Sequence, residues 1–382
     1  MNVKELYCLN DDRANFRTVE GKDDENIFGY KTLKDLLERT MAEAEVTQIP
    51  PRAVILGQNG LGKTLHLRYL ESMIKKSGKP FYPVRLKVGS YEAKSRINLL
   101  HNRMLHAFRF SEFERRLKEE VKKPTGIAWL EAQQLPDGVD HAVFQLANSK
   151  SPVIIDLARR FLSGEALKPA DAVTLSITKR CLVEGDDYAS IIRLIAELVQ
   201  LQDKKSILFC LDEFEYVQYV NNQDAFINWK DGLRNLLDVK QAGFIFAIAA
   251  QNMEGVAKIL RESDIVRRIA INNYHRLPGY KLEDTHRFFT ELFHTFINQE
   301  KLAAYETEKS LTTNPKYSRE TFPFTTDALD GYCRWIHKKD SEAKPSEFED
   351  RLNETAADAC LKGKQLIDVD FLKSRTEFRE ED

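Results

Sequence analysis

Cysteine is scarce in this chain, with five among 382 residues, and Cys8, Cys181, Cys210, Cys333 and Cys360 form no C-x-x-C pair. An odd, dispersed set argues against both a disulfide framework and a zinc site. Cys210 falls inside an apolar run and reads as a small core residue. Long apolar runs are also missing. The longest, such as residues 244–250, are far short of the roughly 20 residues a spanning helix needs, so no membrane role is expected. The first five residues, Met1-Asn2-Val3-Lys4-Glu5, show no apolar signal region. The expected setting is the reducing cytoplasm. Charge of one sign is lacking too: the net charge is −2 although 30% of residues are charged. Such a balance does not announce nucleic-acid binding, and any basic face would have to be local.

What is present is a complete phosphate-binding loop. Gly57-Gln58-Asn59-Gly60-Leu61-Gly62-Lys63-Thr64 fits G-x-x-x-x-G-K-[ST] at every fixed position. It follows the apolar run Ala53-Val54-Ile55-Leu56 and precedes a helical pattern with Leu67, Leu70 and Ile74 on one face. Strand, loop and helix together are the context this motif requires. Glycines let backbone N–H groups converge on phosphate oxygens, and the helix N-terminus adds partial positive charge. Lys63 is placed to reach the β- and γ-phosphates and Thr64 to hold Mg²⁺.

A second apolar run, Ile207-Leu208-Phe209-Cys210-Leu211, ends in Asp212-Glu213. Paired with the upstream loop, this predicts a Walker B arrangement. Asp212 would hold the Mg²⁺ water shell, and Glu213 would orient and deprotonate the attacking water. A third run, residues 244–250, ends in Gln251-Asn252. An amide there, Asn252 in preference to Gln251, could contact the γ-phosphate, or both could be ordinary turn residues. Arg267-Arg268 precede an expected short strand at Ile269-Ala270-Ile271. Either arginine could reach a neighbouring subunit's γ-phosphate, or both could be cations favoured by a helix C-terminus.

Continuous apolar strands alternating with helices predict an α/β fold, a parallel sheet covered on both faces. Residues 1–25 read as a polar arm. Residues 26–278 read as a P-loop ATPase core carrying a largely helical insertion at about 90–186. Residues 279–382 read as a helical lid and tail. Within the insertion, residues 99–123 form either a solvated helix or a partner-binding face. Arg85, Lys87, Lys94, Arg96 and Arg103, with Tyr91 interleaved, are candidates for DNA phosphate contact, and a solvated face is the alternative. Other nucleotide classes fit less well. No N-K-x-D for guanine is present, and Leu162-Ser163-Gly164-Glu165 lacks the second glycine of a transporter signature and reads as a turn.

Taken together these features resemble the AAA+ ATPases over residues 26–361. In that resemblance, Asn26-Ile27-Phe28-Gly29-Tyr30 is similar to the segment that packs near adenine, which assigns Ile27 and Phe28 to nucleotide binding. Tyr30 departs from the family's usual arginine. Asn252 takes the sensor-1 place and Arg267-Arg268 the arginine-finger place. The lid turn Ala343-Lys344-Pro345-Ser346 lacks the family's sensor-2 arginine, with Arg351 a turn later. The chain looks like the initiator type within AAA+. It also resembles Orc1-like ATP-binding proteins of bacterial phage-defence systems such as BREX, through Phe161-Leu162-Ser163-Gly164-Glu165 and Leu211-Asp212-Glu213-Phe214-Glu215. The resemblance implies ATP and Mg²⁺ as cofactors, and a nucleotide-dependent homo-oligomer or a partner ATPase or effector subunit. It also implies action on DNA or a DNA-bound partner. The rival expectations are an ATP-gated interaction module with little turnover and a polypeptide remodeller using Tyr91 as a pore residue.

Overall fold

The computed structural model describes residues 2–18, 27–28, 31–89, 97–220, 222–250, 252–339, 344–375 and 378. Two compact units emerge: residues 37–58 with 70–276, and residues 1–36 and 59–69 with 277–382.

The first unit is built on five strands: β1 (Arg52–Gly57), β2 (Phe81–Lys87), β3 (Ser206–Asp212), β4 (Ala242–Ala249) and β5 (Tyr274–Arg276). They pair in the order β2-β3-β4-β1-β5, and every pairing is parallel. The three central strands are buried almost end to end, which is why they read as unbroken apolar runs. Phe209 faces Phe244 across the β3–β4 ladder, their rings stacked at 5.6 Å. The fifth strand is not where the Ile269-Ala270-Ile271 triplet predicted it. Ile269 closes the helix Ser263–Ile269, Ala270 takes a φ of 71°, and Ile271 is exposed. A three-residue apolar run carries no period, and here its first isoleucine belongs to a helix stripe with Ile265.

The tract between β2 and β3 folds with the sheet rather than apart from it. Leu100, Met104, Phe113, Leu117, Val143 and Phe161 share one buried cluster with Val84, Phe209 and Phe246. The helix expected over 99–123 is two helices, Asn98–Phe108 and Phe110–Val121, broken at Arg109 with a φ of 71°. Its charges divide. Arg115 lies on the solvated face, pairing with Glu112 and Glu119 one turn either way. Arg116 is buried and ties Glu112 to Asp203 at 2.7 Å each, fastening this helix to Gly185–Asp203. That long helix buries Ile191, Ile192, Ile195, Leu198 and Val199.

The second unit is helical: Leu282–Phe296, Gln299–Glu308, Thr326–Lys339, Pro345–Leu361 and Val369–Ser374. Its core is aromatic. Phe288, Phe289 and Phe293 run down the buried face of the first helix and meet Phe348, Tyr332 and Phe324. Residues 2–18, expected as a polar arm, are part of this core. Tyr7, Leu9 and Phe16 are fully buried, Leu9 bridges Ile297, and the Phe16 N–H donates to Asn353 Oδ1 at 2.8 Å. These three apolar side chains, spread over irregular backbone, carry no helix or strand period, so their burial was invisible in the sequence. Among the described residues no helix is long and apolar enough to cross a membrane.

The crossing of helix Gly185–Asp203 with helix Gln223–Leu237 depends on two glycines. A Cβ on Gly185 would lie 2.7 Å from the Gly232 Cα, a backbone atom that cannot step aside. Gly185→Ala is therefore expected to destabilise the first unit by about 1–3 kcal/mol, the usual cost of overpacking. Urea denaturation checks this, with an unchanged midpoint as the contrary result.

Candidate functional site

All five strands run the same way, so β1, β2, β3 and β4 end at one edge of the sheet. In parallel α/β sheets that edge is where ligands bind. The phosphate loop begins there. Gly57 is the last residue of β1, and the loop leads into the helix Lys63–Ser77. Gly60 and Gly62 have φ of +86° and +83°, left-handed backbone that glycine adopts freely and other residues resist. A Cβ on Gly60 would also fall 2.8 Å from Ser346 Oγ and 3.2 Å from Lys344 Cδ, so the loop backbone runs close beneath the start of helix Pro345–Leu361. Leu61 and Lys63 are buried and Asn59 is exposed. His66, one turn into the loop helix, is buried, and its Nδ1–H donates to the Gly62 carbonyl oxygen at 2.7 Å. Burial pushes the imidazole down to about 4, against the opposing pull of that hydrogen bond, so it is neutral at physiological pH. Sequence reading passed over His66. Its position four residues after Gly62, on the first turn, was the available signal.

Two strands along the same edge, the chain leaves β3 through Asp212 and Glu213. Asp212 is buried, and its Oδ1 accepts the Glu213 N–H at 3.0 Å. Glu213 takes a left-handed φ of 57°, uncommon for a residue with a side chain. Its carboxylate meets Lys87, the last residue of β2, at 2.7 Å. The β2–β3 register explains the meeting, because Lys87 is paired directly with Asp212. Glu213 raises the Lys87 ammonium above its ordinary range by hydrogen bond and charge. Glu215 then reaches β4, where its Oε2 accepts the Ala249 N–H at 3.0 Å. Within the loop, backbone N–H groups on glycine backbone, an amine in Lys63 and a hydroxyl in Thr64 are donors that suit a triphosphate; at the end of β3, Asp212 is a buried carboxylate that suits a metal.

The remaining predicted residues divide. Asn252 is exposed and its Oδ1 accepts the Gly255 N–H at 3.1 Å, capping the turn Met253–Gly255. Arg268 is engaged on three sides. It pairs with both oxygens of Asp238 at 2.7 and 2.8 Å and donates to the Asp264 carbonyl. Arg267, beside it in the last turn of the helix, is exposed and has no ion-pair partner among the described residues. The two readings of the pair thus separate, with Arg268 a structural cation and Arg267 open to solvent. Phe28 is buried edge-on between Phe288 and Phe296, and its carbonyl accepts the Tyr280 hydroxyl at 2.5 Å. Its ring is a core ring of the helical unit, and Ile27 beside it is half-buried. Arg351 stacks its guanidinium over Trp335 at 4.9 Å.

The basic candidates are committed within the chain. Arg85 pairs with Glu71 at 3.2 Å, Lys87 with Glu213, and Arg103 donates to the Lys87 carbonyl at 3.0 Å. Lys94, Arg96, Tyr91, Gln251 and the Asn26, Gly29, Tyr30 and Ala343 positions lie outside the described residues. Ser163-Gly164 is the turn ending helix Pro152–Leu162, as its sequence suggested.

No protein-family model matches the chain, and no curated protein is significantly similar to it. Solved structures do match. The Orc2 protein of Aeropyrum pernix, in ADPNP–ADP complexes, is 12% identical with a TM-score of 0.50, the match covering 97% of this chain and 72% of that one. At that identity the likeness is one of fold: a parallel α/β P-loop fold with a helical C-terminal part. Cdc6p of Pyrobaculum aerophilum is 10% identical with a TM-score of 0.46, covering 95% of this chain and 68% of that one. The Orc1 protein of Aeropyrum pernix, in complex with DNA, is 12% identical with a TM-score of 0.47, covering 99% and 68%. The parallel sheet and the helical C-terminal part are the features of that fold seen here.

Loss of the Lys63 ammonium should weaken ATP binding about 10- to 100-fold, the range of one charge-assisted hydrogen bond. Calorimetry of Lys63→Ala with ATP and Mg²⁺ measures it. Affinity equal to the parent's would remove the loop from nucleotide binding.

Proposed function

We propose that this chain is a Mg²⁺-dependent ATPase of AAA+ type that hydrolyses ATP between subunits and acts on DNA or a DNA-bound partner. The reading is carried by one observation. The phosphate loop and the Asp212-Glu213 pair leave the same edge of a parallel sheet, and a lysine from the adjoining strand holds Glu213. In this reading the loop N–H groups and Lys63 bind the phosphates, and Thr64 and Asp212 supply oxygens to the metal. Bound Mg²⁺ supplies charge neutralisation of the phosphates. Glu213 orients the attacking water and takes its proton. Asn252 follows the end of β4 at the same edge; its Oδ1 is committed to the Gly255 N–H, which leaves its amide N–H₂ for the γ-phosphate. Arg267, exposed at a helix end, is the residue offered to a neighbouring subunit. The phage-defence setting rests on the short motif resemblance at residues 161–165 and 211–215.

The ion pair gives hydrolysis a control point. While Lys87 occupies a Glu213 oxygen, the base is held from its water. Lys87 is 65% exposed, so an anion such as a DNA phosphate can compete for it. The same pair favours the second reading, an ATP-gated interaction module in which turnover stays low. Exposed pairs of this kind contribute about 0.2–1 kcal/mol, so Lys87→Met should raise the basal ATPase rate about 1.5- to 5-fold. Parallel assays with no DNA, duplex DNA and single-stranded DNA should show stimulation of the parent and little further stimulation of the variant. A variant slower than the parent would mean Lys87 supports catalysis directly.

Glu213→Gln keeps the side chain's shape but not its base. It should retain ATP and lose hydrolysis about 10²–10⁴-fold. Hydrolysis at the parent rate would transfer the role to another group.

The arginines can be separated. Arg267→Ala should bind ATP, hydrolyse it poorly, and depress parent activity on mixing beyond simple dilution. Arg268→Ala should instead lower the melting temperature by releasing Asp238. Specific activity that does not change with protein concentration, from a species that sediments as a monomer with ATP, would rule out the shared site.

A further inference from the structure

The helical tract between β2 and β3 carries a groove of about 630 Å³ that the ATPase reading does not use. Leu130 and Leu135 line its apolar part with Ile127 and Phe144, and Glu131 and Asp140 bring two carboxylates. Ile127 and Phe144 are 48% and 45% exposed, unusual for side chains of that size. The fold does not need Phe144 inside. In helix Val139–Asn148 the buried stripe is Val139, Ala142, Val143 and Leu146, and Phe144 lies off it.

Charge says what kind of occupant fits. On the neighbouring helix Phe110–Val121, Glu112, Glu114 and Glu119 each have an arginine or lysine partner. Neither Glu131 nor Asp140 is paired with a cation among the described residues. Asp140 accepts only the adjoining His141 N–H. Beside the exposed apolar pair, by contrast, two exposed carboxylates are left to solvent. A volume of this order takes several side chains, and an apolar channel flanked by one sign of charge is how grooves receive amphipathic helices.

We propose that this groove docks a helical segment of a partner protein, two apolar anchors one turn apart with lysine or arginine on either side. The interaction goes beyond nucleotide hydrolysis and is independent of it. The partner's anchors bury Ile127 and Phe144, and its cations meet Glu131 and Asp140, which gives specificity and salt dependence.

The test uses the full chain and a displayed library of single-helix peptides with a fixed apolar stripe and randomised flanks. Enriched peptides should carry net positive flanks, and fluorescence anisotropy should show binding that weakens with added salt. Phe144→Ser should weaken it about 10-fold or more, and Glu131→Lys with Asp140→Lys should do likewise with the apolar channel intact. Both variants change exposed side chains, and circular dichroism verifies that they fold. Neutral or acidic enriched peptides, no enrichment, or binding indifferent to Phe144→Ser would overturn the proposal. So would parent protein that self-associates in sedimentation and becomes monomeric with Phe144→Ser, which would make the groove an interface between copies of this chain. None of these readouts involves ATP, so failure here leaves the ATPase reading standing, and failure of that reading leaves this one intact.

Discussion

Parallel pairing of buried strands is the constraint on which the rest of this molecule depends. A parallel strand cannot turn back on itself, so each pair needs a crossover long enough to return the chain to the starting edge. Every strand here therefore begins at one edge and ends at the other. Chemistry accumulates at the second edge without any special device. Gly57, Lys87, Asp212 and Ala249 are all strand ends, and the register sets which neighbours meet. A one-residue slip between β2 and β3 would turn Lys87 to the other face and take it from Glu213.

The tract between β2 and β3 serves this sheet in a way its charge content conceals. It is the crossover, lengthened among the described residues to six short helices before the long Gly185–Asp203 helix returns the chain to β3. Its inner faces complete the core over β2 and β3, and Arg116 anchors it to the long helix through Asp203. A buried arginine bridging two carboxylates is a costly feature to place, since desolvation opposes it, and losing either partner leaves its charge less compensated. The outward face is then free to vary. That is where Phe144, Ile127 and two unpaired carboxylates are found.

Much of the fold and part of the candidate site were legible in the sequence. Legibility followed two physical cases. Where a residue's role is fixed by backbone geometry within a few positions, the sequence displays it. The glycines at 60 and 62 must take positive φ, and Lys63 and Thr64 follow at fixed spacing. Where a role is fixed by sheet burial, the sequence displays that too: 207–211 and 244–250 could be nothing but buried strands or core helices, and their length decided for strands. Where a role depends on a partner distant in the chain, the sequence was silent. Lys87 read as one cation in a basic stretch. Only pairing with β3 makes it the partner of Glu213, 126 positions later. Arg267 and Arg268 are indistinguishable as letters, and only Asp238, on another helix end, separates them.

The sequence by itself determined the phosphate loop, the acids after β3, the parallel α/β class and the helical C-terminal part. Each is a local pattern, read over a single strand, turn or helix. Tertiary structure alone decided that residues 2–18 are core, that the fifth strand is Tyr274–Arg276, that the long crossover belongs to the sheet, and that Glu213 is held by a lysine. These follow from which apolar surfaces meet and from strand register. Both are set by contacts between residues far apart in the chain, and no window of neighbouring letters contains them.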